Sequence, residues 1–311
     1  MAKSKRIMVV VDPTAESHPA IGRAAWLAKK MGASLHLSVC DCIQYTAGEK
    51  MFFDINTLEA TRQDLLERQE ARLEELAGPL RSHGLNVSVE AHWDHPLHEG
   101  ILRQIEANAP DLVVKDTHYH PAIKRSVFSN TDWNLMRQCP VPLLLVKPTE
   151  LGGRVSIVAA VDPMHEHDKP ARLDRTILDA AETLCSATDG ELHVIHAFDP
   201  AGRYVMSAGS MGMAPPIPIE ELVESLRTQH TDAMDRLMDD YSVPSENIHL
   251  LEGEPRELLV NQAEALHADI VVIGAVARGA LKRFVMGSTA EQVLDRIPCD
   301  LLIIKPVAGP A

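Results

Sequence analysis

A chain of 311 residues is long enough for two ordinary domains, and a net charge of −14 argues against nucleic acid and anionic membranes as partners. Hydrophobic residues make up 45% of it, enough for two full cores, and no apolar run approaches the roughly 20 residues of a membrane span. Five scattered cysteines without a repeated C-x-x-C, and only a short apolar run near the N-terminus, point to a soluble protein of the reducing cytoplasm.

In chain order, residues 7–11 form an apolar run ending in Asp12-Pro13, which predicts a buried strand and a turn. Residues 20–30 have helical spacing closed by Gly32, and residues 35–39 read as the next strand. A long amphipathic helix over 58–80 follows, with Leu65, Leu66, Leu73, Leu76 and Leu80 as its stripe. Then come a strand (87–91), a helix (97–108), a strand (112–114), a helix (132–138) and a strand (143–146).

The same order then begins again. SIVAAVDP at 156–163 repeats RIMVVVDP at 6–13, an offset of 150, and residues 269–306 repeat 111–148 without gaps at an offset of 158. In that span Val113/Val271, Lys124/Lys282, Arg125/Arg283, Thr131/Thr289, Pro140/Pro298, Leu144/Leu302 and Lys147/Lys305 coincide. Between these anchors lie a helix (173–184), a strand (192–197), a long helix (220–238) and another strand–helix pair. The chain is a duplicated α/β unit: two tandem, doubly wound, Rossmann-like domains, 1–150 and 151–311, each with a five-stranded parallel sheet and joined near Gly152-Gly153. In such folds ligands bind beyond the carboxyl ends of the strands, where the strand order reverses.

The stretch 274–294 carries the clearest chemistry. A buried strand leads into Gly274, then Ala277, Gly279 and the basic residues Arg278, Lys282 and Arg283, and Gly287-Ser288-Thr289 opens a helix with a Ser288/Glu291 capping box. Backbone N–H groups at glycines and a helix N-terminus suit a phosphate. The basic spot stands out because 25 acidic residues against 13 basic ones place −12 of the net charge from Leu151 onward. Glycines 274 and 287 leave room at both walls of the cleft, and Asp162, ending the first strand of this half, is placed to accept from a ribose or an adenine edge.

No G-x-G-x-x-G follows the first strand of either half, and neither a P-loop nor a G-x-S-x-G elbow is present. No catalytic residue is assigned. The 15 histidines cluster at His92/His95/His98, His118/His120 and His165/His167, but no set forms a four-ligand metal signature. His193 and His196 fall on opposite faces of one strand. The segment 202–218, rich in Met and Pro, suits a lid or a partner contact.

The strand ending in Asp, the glycine loop, the Gly-Ser helix start and the closing PCDLLIIKP resemble the universal stress protein family. The duplication resembles its tandem type, and Thr131-Asp132-Trp133 with both Lys-Pro endings resembles its E subgroup. The resemblance covers essentially the whole chain. It implies an adenine nucleotide alpha hydrolase-like fold, halves paired as a pseudo-dimer through their last strands, an optional homodimer, and ATP, with or without Mg2+, as ligand. The family's ATP pattern is Gly, two residues, Gly, nine residues, Gly, then Ser or Thr. Gly274, Gly287 and Ser288 match it, while Ala277 replaces the second glycine. By this resemblance Asp162, Gly274, Ala277, Arg278, Gly279, Arg283, Gly287, Ser288 and Thr289 form a regulatory ATP site with at most slow hydrolysis. The first half has Asp116, Tyr119, Ser129 and Asn130 at the equivalent positions, an acidic and glycine-free set expected not to bind ATP in that manner. The alternative is a nucleotide-independent scaffold or carrier for an apolar, lipid-like metabolite or a protein partner.

Overall fold

A computed structural model describes residues 5–41, 55–120, 125–127, 129–165, 172–200, 219–275 and 296–306. The chain divides into two compact units, Met1–Pro148 and Thr149–Ala311.

The first unit runs β1 (Arg6–Val11), α1 (Pro19–Met31), β2 (Ser34–Asp41), α2 (Ile55–Ser82), β3 (Val87–Trp93), α3 (Leu97–Asn108) and β4 (Leu112–Asp116). It continues with β5 (His118–His120), β6 (Arg125–Val127), α4 (Asn130–Gln138) and β7 (Leu143–Val146). Its main sheet is parallel in the order β7-β4-β1-β2-β3. Central β1 is buried from Ile7 to Val11, with Val9 opposite Leu37 on one side and Val114 on the other. A parallel strand covered on both faces needs apolar residues at successive positions, which is why these strands read as runs and not as alternations. Helix α1 stops where Gly32 turns left-handed (φ 64°) and its N–H closes on Ala28 O.

Two local features depart from the sequence expectation. β5 and β6 form a separate antiparallel pair. They are three residues each and polar (HYH, RSV), too short for periodicity to mark them. Helix α4 begins two residues earlier than expected because Ser129 caps it. The Ser129 hydroxyl accepts from Asp132 N–H at 3.2 Å, and Asp132 accepts from Ser129 N–H at 2.6 Å.

The second unit runs β8 (Ser156–Ala160), α5 (Leu173–Thr188), β9 (Glu191–Phe198), α6 (Ile219–Met238), β10 (Ile248–Glu252), α7 (Pro255–Ala265), β11 (Ile270–Gly274) and β12 (Asp300–Ile304). Its strands are parallel in the order β10-β9-β8-β11-β12, the same winding as the first unit. The duplication extends to single hydrogen bonds. Asp111 accepts from Arg6 N–H at 2.7 Å, and its counterpart Asp269 accepts from Ser156 N–H at 2.9 Å. Asp269 also accepts from Gly152 N–H at 2.8 Å, which ties the glycine joint to the second unit. No helix among the described residues is long and apolar enough to cross a membrane.

Candidate functional site

In the second unit β8 lies beside β11, Ala159 opposite Val272, so Asp162 and Gly274 emerge at neighbouring carboxyl ends. This is the point where the strand order reverses, from β8-β9-β10 on one side to β11-β12 on the other. Asp162 is held through its backbone: its N–H donates to Asp174 in the first turn of α5 at 3.0 Å. The preceding Val161 donates its N–H to Ile195 O at 3.0 Å. The Asp162 carboxylate is 38% exposed and lies 4.0 Å from His196 Nδ1.

Behind this strand end sits a buried imidazole pair. His196 Nδ1 meets Val161 O at 3.1 Å, and a carbonyl only accepts, so that nitrogen carries a proton. Its Nε2 meets Nδ1 of His230, from α6, at 2.7 Å, and Phe198 stacks on His230 with centroids 4.5 Å apart. The two histidines are 34 positions apart, so nothing local in the sequence pairs them.

Read from sequence, Gly274 makes room for phosphate. In the structure the place its side chain would take is already filled: a Cβ there would meet Leu173 Cδ2 at 2.8 Å and Ile177 Cδ1 at 2.9 Å. The missing side chain therefore serves close approach of α5 to β11. Ala277, Arg278, Gly279, Arg283, Gly287, Ser288 and Thr289 lie outside the described residues, as does the 202–218 segment.

The equivalent end of the first unit is chemically different. Asp12 is occupied by Thr14, whose N–H and hydroxyl donate to Oδ1 at 2.8 and 2.7 Å. Asp116, at the Gly274 position, turns its carboxylate onto the N-terminus of α1 and accepts from Ala20 N–H at 2.6 Å. An acid of the protein's own thus holds the place where a helix N-terminus would receive an anion. Burial pushes Asp116 up to about 6, partly offset by the Ala20 hydrogen bond and by Lys115. His18 Nδ1 stands 4.0 Å from the other carboxylate oxygen, and burial lowers that imidazole. Lys115 reaches Asp132 at 2.8 Å in a pair whose side chains are 5% and 0% exposed.

Of the histidine clusters, only His92/His95/His98 has its side chains among the described residues; the side chains of His118, His120, His165 and His167 lie outside them. Arg103 holds Asp94 by a hydrogen bond of 2.7 Å and an ion-pair contact of 2.6 Å and keeps its carboxyl below the usual range, and Asp94 also accepts from His95 N–H at 2.8 Å. His92 turns to Glu90 at 3.1 Å. His193 and His196 do lie on opposite faces, meeting His249 and His230 respectively. Among the described residues no group of three or more His, Cys, Asp or Glu side chains is placed to hold a metal. A depression of about 440 Å³, bordered by Thr149, Gly152, His267, Asp269 and Cys299, lies at the amino ends of β11 and β12, opposite the Asp162 end.

The family model described as "Universal stress protein family" matches this chain twice, over residues 3–147 and 156–305. "Universal stress protein E" of Salmonella typhi is 30% identical over 314 residues, covering 98% of this chain and 96% of its own length. The "Universal stress protein E homolog" of Haemophilus influenzae is 24% identical, covering 98% of each. Among solved structures, a putative universal stress protein from Pseudomonas aeruginosa UCBPP-PA14 superposes with a TM-score of 0.74 at 27% identity, over 98% of this chain and 94% of that one. A universal stress protein from Archaeoglobus fulgidus, 17% identical with a TM-score of 0.68 over 97% of this chain and 99% of its own, shares the fold.

Proposed function

The chain belongs to the universal stress protein family, and from that premise we propose that it is a regulatory protein whose second half binds ATP or another adenine nucleotide. The observation that carries this reading is the placement of Asp162 and Gly274 at adjacent strand ends where the strand order reverses. The partly exposed Asp162 carboxylate fits the sugar or base end of a nucleotide as an acceptor. At the phosphate end, Ala277, Gly279, Gly287, Ser288 and Thr289 would offer backbone N–H groups and a helix start, with Arg278 and Arg283 supplying positive charge. Mg2+ would accompany the phosphates, and no hydrolytic step is assigned to any side chain.

The first half is proposed not to take a nucleotide in this way, since Asp116 puts a carboxylate at the Gly274 position and the helix start equivalent to Gly287-Ser288-Thr289 is already capped by Ser129. A phosphate there would meet a carboxylate at close range.

Isothermal titration of the full chain tests the site. ATP should bind at one equivalent, and Gly287→Val should abolish binding. Full ATP affinity in Gly287→Val would refute the placement, and no binding by the wild type would refute the nucleotide reading itself.

One observation favours a second reading. The space beside Gly274 is filled by Leu173 and Ile177 rather than left open, and Ala277 adds a methyl group nearby in sequence. A nucleotide-independent scaffold or carrier of an apolar metabolite or partner segment would need no phosphate approach there. Native mass spectrometry of freshly purified protein separates the two: copurified ATP or ADP supports the first, a lipid-like mass supports the second.

A further inference from the structure

On the face of the second sheet opposite the His196 pair, two imidazoles meet across neighbouring strands. β10 and β9 pair with Ile248 opposite Val194 and His249 opposite Ile195. Side chains alternate along a strand, so His193, Ile195 and His249 share one face, with the two histidines on the diagonal. His193 Nδ1 and His249 Nε2 stand 3.2 Å apart, with ring centroids 5.4 Å apart and planes inclined by 29°. Both residues are partly exposed, and among the described residues β10 has β9 as its one hydrogen-bonded neighbour in the sheet.

The first unit shows what the repeat places at the same point. His36 is the third residue of β2, as His193 is of β9, and the partner strand presents Glu90 where the second unit presents His249. His36 Nε2 lies 3.4 Å from the Glu90 carboxylate and its Nδ1 is 2.9 Å from Ser88 Oγ. One unit thus pairs an imidazole with an acid, and the other pairs it with a second imidazole. Two imidazolium ions at this distance would repel. Burial lowers both His193 and His249, with His193 itself a further cause for His249 and Glu191 partly opposing the shift at His193. Two neutral imidazoles are two nitrogen ligands.

We propose that His193 and His249 form a two-nitrogen chelating site for a divalent transition-metal ion of the imidazole-preferring group, Zn2+, Ni2+ or Cu2+. Two nitrogens bound at about 2.0–2.1 Å with a tetrahedral angle between them are about 3.3 Å apart, close to the separation present before any metal arrives. In the metal-free pair one near nitrogen donates to the other. On binding, that proton moves through solvent to the far nitrogen of the same ring. His193 Nδ1 and His249 Nε2 then both offer lone pairs, His193 Nε2 and His249 Nδ1 carry the protons, and no net proton is released. Glu191 contributes negative charge near His193, although its carboxylate is engaged by Arg154 at 3.3 Å and by Asn247 at 3.3 Å. With no third protein ligand among the described residues, the remaining positions go to water or to an incoming ligand. That makes it an open site rather than a closed structural one.

The chain has 15 histidines, so the decisive readout is a difference between variants. The full-length protein would be titrated with ZnCl2 and NiCl2 by calorimetry, alongside His249→Gln and His193→Gln. Glutamine retains a hydrogen-bonding side chain but removes the imidazole. Each variant should lose one metal equivalent, or bind it more than about tenfold more weakly, while circular dichroism confirms that it folds. Long-range proton–nitrogen NMR of the wild-type imidazoles locates the site without mutation: Zn2+ should shift His193 Nδ1 and His249 Nε2. Unchanged stoichiometry and affinity in both variants, or a titration that leaves both nitrogens unmoved, would overturn the proposal and leave the pair as a cross-strand hydrogen bond.

Discussion

Asp116 accepts a 2.6 Å hydrogen bond from the backbone N–H of Ala20, 96 residues earlier in the chain, and so places a carboxylate on the N-terminus of α1. Among the described residues its second oxygen makes no hydrogen bond. The arrangement holds a charge in a buried place and leaves half of it unsolvated.

The pH dependence follows from this burial. Asp116 is pushed from 3.8 up to about 6, so between those values the folded state holds a proton that the unfolded state has lost. Stability therefore falls as pH rises through this window, and above it the ionised acid costs about 3 kcal/mol. Asp116→Asn keeps an acceptor for Ala20 and removes the charge. It should stabilise the protein by about 1–3 kcal/mol at pH 7.5 and much less at pH 4.5. Urea denaturation at the two pH values measures this, and an equal effect at both would show that the charge is not the cause.

The Lys115–Asp132 pair is another buried electrostatic feature of the first unit. Lys115 also donates to Asp116 O at 2.9 Å, and Asp132 caps α4. The second repeat has Ile273 and Ala290 at these positions, so it does without the pair. Lys115→Ile alone should cost about 3–5 kcal/mol because it strands a buried carboxylate. Lys115→Ile with Asp132→Ala should cost clearly less than the two single changes added together. Strict additivity in the double-mutant cycle would mean that the two charges do not act as a unit.

Much of the fold is legible in the residues because its causes are local. Runs such as Ile7–Val11 and Leu143–Val146 announce parallel strands buried on both faces, and Gly32 announces the end of α1. The duplication is visible for the same reason, since equal strands need equal runs. What could not be read depends on distant neighbours. Asp116 looks unsuited to a phosphate site, but nothing near it in sequence reveals that Ala20 is its partner. Gly274 looks like space, yet Leu173 and Ile177 fill that space from α5. His193 and His249 are 56 residues apart and meet only through strand register.

The role of Gly274 can be separated from ligand binding. A methyl group there would press on Leu173 and Ile177, each only 2% exposed, so neither has free room to retreat. Gly274→Ala should cost about 1–3 kcal/mol of stability without any nucleotide present. Thermal and urea unfolding of the ligand-free protein would measure it. Wild-type stability combined with loss of ATP binding would instead place this glycine at the ligand.

The buried pair behind Asp162 gives the last test. His196 holds Val161 O through Nδ1, and His230 completes the chain at 2.7 Å while packing on Phe198. His230→Ala removes the ring contact and leaves Nε2 of a fully buried imidazole without this partner, at about 2–4 kcal/mol. His230→Phe restores the ring but not the hydrogen bond, so it should recover only part of the loss. If the pair braces the strand end, both variants should speed amide hydrogen exchange at Val161 and Asp162 beyond the change at β12, which lies two strands away. Uniform acceleration across the sheet would reduce the pair to generic core packing. Acceleration confined to the strand end would make it the support that holds Asp162 in position for a ligand.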